Sequence, residues 1–230
     1  MLQPSEDRPE PAQLAVSPTA RAANVYLLRV EEEPPEHDAV REAVEAMEGA
    51  DVVAYLAADG EPLVRETPGP PPAGAEAVIH RGGVELRFRP GDEVTDLRDC
   101  GWDLRGDRAA LDLEVSEGRV RSESYPDGLG RLWGALAAPH AGDLVISATP
   151  GYECVDWGGA SHVGGGSHGS LHRGDSLGPI LFCGCGPESA DEREQWSLRD
   201  VAPIVLDHFG LGEAGTPVAD WVGPGVQALG

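Results

Sequence analysis

Along the chain the spacing of apolar residues shifts between alternating and helical, and each shift marks an element. The run NVYLLRV at 24–30 has the length and apolar content of a strand. At 36–48, Val40, Val44 and Met47 recur at helical spacing and Gly49 closes the segment. DVVAYLA at 51–57 predicts a second strand, and 61–66 a third after the Asp59-Gly60 turn. This β-α-β-β order predicts a small cap-like module, a sheet with one covering helix. The GPPP run at 69–72 interrupts the chain, because proline is excluded from central strands. Alternation resumes at 77–80 and 84–89 as a hairpin around Gly82-Gly83, with His80 at a strand end facing solvent. A weaker pair, 111–115 and 119–122, flanks Glu117-Gly118.

Further along, 128–137 carries a helical stripe of Leu132, Leu136 and Trp133, the signature of a core-facing helix. DLVISA at 143–148 and GPILFC at 178–183 are nearly continuous apolar runs. Runs of this kind predict neighbouring strands buried on both faces. RDVAPIVLDHFGL at 199–211 predicts a helix against that sheet, with Asp200 as N-cap, Pro203 in the first turn and Gly210 at the end. Residues 1–20 show no apolar period and read as a mobile lead-in. The fold class expected is α/β, with 21–135 as a cap-like or insert region and 136–230 contributing the core.

Composition narrows the possible partners. Gly 31 and Pro 20 in 230 residues indicate a loop-rich protein, and every basic side chain is an arginine. A net charge of -23 argues against nucleic acid or an anionic membrane as a partner held by a general electrostatic field. It also repels phosphate unless bound cations invert the local potential. Cysteines at 100, 154, 183 and 185 form no C-x-x-C pair, so buried free thiols are expected. With no secretory signal and no membrane-length apolar run, the sequence reads as soluble and cytoplasmic.

The densest candidate chemistry lies at 164–187, GGGSHGSLHRGDSLGPILFCGCGP. Glycines give the backbone conformations closed to other residues, and here they deliver His168 beside an apolar run. A histidine so held can present its imidazole to a metal, or can be a hydrogen-bonded loop residue. Asp156 and His162 lie close upstream; either could orient His168, contact substrate, or occupy a surface turn. Asp207-His208, within the final helix, reads as helix surface.

His168-Gly169, Arg173 to Ser176, the GPILFCG run and RDVAPIVLDHFGL, in that order, resemble the C-terminal end of alkaline-phosphatase-superfamily enzymes. The branch they resemble is the type I phosphodiesterase/nucleotide pyrophosphatase. The resemblance covers 140–211 and implies an alkaline-phosphatase-like core, of which this chain holds the C-terminal half. It implies His168 as the last ligand of a two-metal site, with zinc as the expected metal, and His172 and Arg173 near a phosphate ester or nucleotide-like substrate. The family's Ser or Thr nucleophile, its early metal-binding Asp and its Asp-His-Gly motif have no counterpart here. The expectation is therefore the C-terminal half of a metal-dependent phosphodiesterase or phosphatase, inactive as an isolated chain. An upstream half as a separate chain, or a binding module that kept the scaffold, are the alternatives.

Overall fold

The computed structural model describes residues 12–28, 35–64, 68–154, 166–184, 186 and 195–211. A ten-stranded mixed sheet organises them, and the helices are few. Its elements run β1 (Leu14–Thr19), β2 (Ala22–Leu27), α1 (His37–Glu45), β3 (Ala50–Ala58), β4 (Glu61–Pro62), β5 (Glu76–Arg81), β6 (Val84–Thr95) and β7 (Gly101–Gly106). After a 3-10 turn at Arg108–Leu111 come β8 (Leu113–Ser116), β9 (Arg119–Ser122), α2 (Gly128–Ala137) and β10 (Leu144–Ala148). A single turn, α3 (Arg173–Ser176), and a 3-10 turn at Leu198–Asp200 leading into α4 (Val201–His208) complete the described chain. The strand order is β1-β2-β10-β3-β5-β6-β9-β8, with β4 on β3 and β7 on β6.

The apolar run of β3 is continuous because both of its faces are covered. Val52, Ala54 and Leu56 point to one side, where Leu129, Leu132 and Leu136 of α2 pack over them with Ile79, Leu86 and Phe88. Val53 points to the other side and joins Val25, Leu27, Leu144, Ile146 and Val44 of α1. The glycine pair at 82–83 turns β5 into β6 in the expected register, Arg81 opposite Val84. In β6 the pairing with β7 slips between Pro90 and Val94, and the bulge is held by Asp103, which accepts from the amides of Asp92 and Glu93. Gly101 has to be glycine at this bulge, since a Cβ there would lie 2.1 Å from the Gly91 carbonyl oxygen.

Several expectations give way. Residues 14–19 are a strand paired with β2, Leu14 opposite Leu27, rather than part of a mobile lead-in. Pro18 is tolerated because β1 is the sheet's edge. The β-α-β-β order at 22–62 exists, but its strands share one sheet with the later β10, which lies between β2 and β3. Residues 178–183 form no strand and do not neighbour β10, because β2 and β3 already occupy both of its edges. Leu181 is 88% exposed as a result. The closing helix is shorter than 199–211 and buries none of its side chains.

What holds α4 is the residue before it. Asp200 is fully buried and takes a bidentate pair from Arg98, both N–O distances 2.9 Å. Its carboxylate also accepts from the Ser197 amide at 2.7 Å, closing a capping box around the 3-10 turn. Arg98 sits in the β6–β7 connection, where Asp96 accepts from the Arg98 and Cys100 amides and from the Trp102 indole. Beside it, Arg199 pairs with Asp127, whose carboxyl is pushed up by burial against the pull of Arg199 and Arg98. Among the described residues no helix is long and apolar enough to cross a membrane.

Candidate functional site

The segment 168–176 crosses the carboxyl end of β10 and is fixed by three elements. Between β1 and β2, the Arg21 amide donates to the His168 carbonyl at 3.1 Å, and the Arg21 carbonyl accepts from Ala148, the last residue of β10. Gly169 follows with φ +107, and a Cβ there would stand 3.1 Å from the Thr19 carbonyl oxygen. Glycine alone satisfies both constraints. From β10, the Ser147 hydroxyl accepts from the Leu171 amide at 2.8 Å while Leu171 enters the core beneath α2.

From α2, the Arg131 guanidinium donates to the carbonyls of Ser170 and Leu171, at 3.1 and 3.0 Å, and to the Ser176 hydroxyl. Burial pulls its pKa down from the ordinary arginine value. Asp175 receives the Arg21 guanidinium on one oxygen and the buried Ser170 hydroxyl on the other. Ser170, Asp175 and Ser176 of the GSLHRGDS stretch are thus used to pin the loop.

Of the residues singled out from the sequence, His168 is exposed and has no side-chain partner among the described residues. His172 is half-buried, and its ring lies edge-on to Tyr125 at 5.9 Å. Its Nδ1 accepts from the Gly174 amide at 3.2 Å, capping α3. An accepting Nδ1 on a neutral ring leaves the proton on Nε2, so His172 can donate outward but cannot ligate a cation through that nitrogen. The Arg173 guanidinium is taken by Glu123, and its amide donates to the Ser124 carbonyl. Asp156 and His162 lie outside the described residues, as does Cys185. His208 and Asp207 are exposed on α4.

Sequence reasoning missed the pinning roles of Arg21, Arg131 and Ser147. The partners lie far apart in the chain (Arg21 and Asp175 are 154 residues apart), and no local pattern announces them. Tyr125 was missed as well. Its hydroxyl donates to Asp51 at 2.8 Å and its ring carries the Arg81 guanidinium at 5.2 Å; burial and the Asp51 carboxylate push its pKa up. This network braces the floor beneath His172.

The described residues contain no group of three or more His, Cys, Asp or Glu side chains able to hold a metal ion. His168 is one free donor, too few to retain a cation without others. A partly open pocket of about 20 Å³, room for a single water, lies between Arg98, Tyr125 and Asp127. No family model, curated protein or solved structure matches the chain.

Proposed function

We propose that this chain acts as the C-terminal part of a metal-dependent phosphoric ester hydrolase, to which it contributes His168 as a metal donor. The observation that carries the reading is the contrast within one loop. Ser170, His172, Asp175 and Ser176 each pin this backbone, while the His168 ring beside them is exposed and has no partner among the described residues. Holding the backbone at and after His168 lowers the ordering cost of ligation by its ring. His172, with its proton set on Nε2, supplies a donor for a phosphate oxygen. Arg173 is already paired with Glu123, which weakens any field it offers a substrate. The remaining ligands and the Ser or Thr nucleophile belong to a part of the enzyme beyond these residues, so no chemical step is assigned to the chain by itself.

The exposed apolar side chains at 177–211, with Leu198 at 86% and Leu211 at 72%, favour a second reading, an interaction module. Zinc titration with ring-labelled histidines separates the two. For the hydrolase part, the His168 ring resonance responds first, and His168→Ala removes the response. A response led by His208 or His140 overturns the assignment. Bis-p-nitrophenyl phosphate with zinc is the companion assay: no turnover is expected from this chain alone, and robust turnover by purified chain overturns the partial-site reading.

A further inference from the structure

Helix α1 buries two side chains against the sheet, Val44 near its carboxyl end and His37 at its first position. A histidine is an unusual anchor, and the surroundings of this one are specific. Its ring is buried, lies 4.5 Å edge-on to the Tyr55 ring, and neither nitrogen has a hydrogen-bond partner among the described residues. The nearest carboxylate, Asp38, is 3.6 Å away and largely exposed to water.

On the far side, Tyr55 stacks on His80 at 5.8 Å. His80 is half-buried rather than solvent-facing, with Nδ1 3.4 Å from Glu45 and Nε2 3.5 Å from Glu85. The charged groups that face the pair are Asp38, Arg41 and Glu45 from α1, Glu85 and Arg87 from β6, and Asp143 ahead of β10. Arg41 is already held by Glu45, and Arg87 by Glu85.

We propose that His37 is a proton-sensitive anchor: α1 stays docked while the ring is neutral and is released from its amino end when the ring is charged. Two independent features set the direction. An imidazolium at His37 would be buried with only a long approach to the water-exposed Asp38 carboxylate, 3.6 Å from Nδ1, and a poorly paired buried charge is far more costly than a buried neutral ring. It would also stand at the helix amino terminus, where the backbone dipole already presents positive charge. His80 behaves differently, because its proton would meet Glu45 and Glu85. Burial still lowers the proton affinity of His80, with Glu45 and Glu85 opposing it, so opening starts at the His37 end, which has no such pair of carboxylates.

Burial is the main cause that lowers the proton affinity of the docked ring. The docked state is therefore favoured above the ordinary histidine pKa of about 6.5 and loses ground below it, by up to about ten-fold per pH unit. Between pH 7.5 and 5.5 the opening equilibrium of α1 rises by up to about ten-fold, the limit for a docked ring that stays neutral throughout. Hydrogen exchange on the whole chain, with labelling times scaled to the intrinsic rate, reads this directly. Protection of peptides covering 38–46 should fall by up to about ten-fold between these pH values, relative to the β5–β6 hairpin. His37→Phe should abolish the fall and His80→Phe should preserve it, with hairpin protection reporting that each variant is folded. His37→Leu replaces His37→Phe if the larger ring disturbs the hairpin. An equal fall in the position-37 variant, an equal fall in the hairpin, or no fall at all overturns the proposal.

Discussion

Replacing Asp200 with alanine should detach the C-terminal segment while leaving the sheet intact. The change leaves the Arg98 guanidinium without its bidentate partner, in a site where its side chain is 4% exposed. Breaking one side of a buried pair costs about 3–5 kcal/mol. The segment has little else to resist with. No α4 side chain is buried, and the neighbouring Arg199–Asp127 pair has a half-exposed arginine, a class worth about 0–1 kcal/mol. Taking the lower figure, about 3 kcal/mol, the opening equilibrium of 197–209 should rise about 150-fold. Opening frees Arg98 to reach water, which caps the loss, so the urea midpoint of the sheet should move far less than 3 kcal/mol implies. Hydrogen exchange resolves the two: amides of α4 should lose protection while those of β5 and β6 keep theirs. Asp200→Asn, which can still accept from the Ser197 amide, should fall between. Arg98→Met with Asp200→Leu should recover much of the docking, since an apolar pair of similar volume replaces the ions. The reasoning fails if α4 protection survives Asp200→Ala, or if the hairpin and α4 lose protection together.

Two glycines should respond in opposite directions to alanine. Gly101→Ala forces a methyl against the Gly91 carbonyl and should destabilise by about 1–3 kcal/mol in urea unfolding, while Gly134→Ala, exposed in α2 with open space around it, should stabilise by about 0.5–1 kcal/mol. Thiol labelling at pH 8, read peptide by peptide, should find Cys183 reacting well before Cys100. Burial, with Asp96 and Asp127 nearby, pushes the Cys100 thiol up to about 11, which leaves about one part in a thousand as thiolate, whereas Cys183 is exposed.

What could be read from the sequence was what short range decides. The Gly82-Gly83 hairpin and the 128–137 helix were both visible, because alternation, a turn pair and a helical stripe lie within a dozen residues. The alternating Trp102 and Leu104 of β7 carried the same kind of signal and were overlooked. Residues 178–183 looked like a strand because hydropathy reports a tendency to be buried and cannot report whether a sheet edge is free. In the candidate site, glycine punctuation pointed to 168–176, but the clasp of Arg21, Arg131 and Ser147 joins residues brought together only by the fold. The same holds for Arg98 with Asp200, which are 102 residues apart, and for His80, whose surroundings come from α1 and β6.

The position of β10 bears on how the protein is made. Residues 144–148 fill the gap between β2 and β3, which leave the ribosome much earlier. Until β10 is delivered, the facing borders of β2 and β3 present unpaired amides and carbonyls, and Val25, Leu27 and Val53 lack Leu144 and Ile146. Open borders of this kind are templates for mispairing. Biogenesis thus depends on a late strand threading between two early ones. A nascent chain halted before residue 144 is the form that most needs a chaperone.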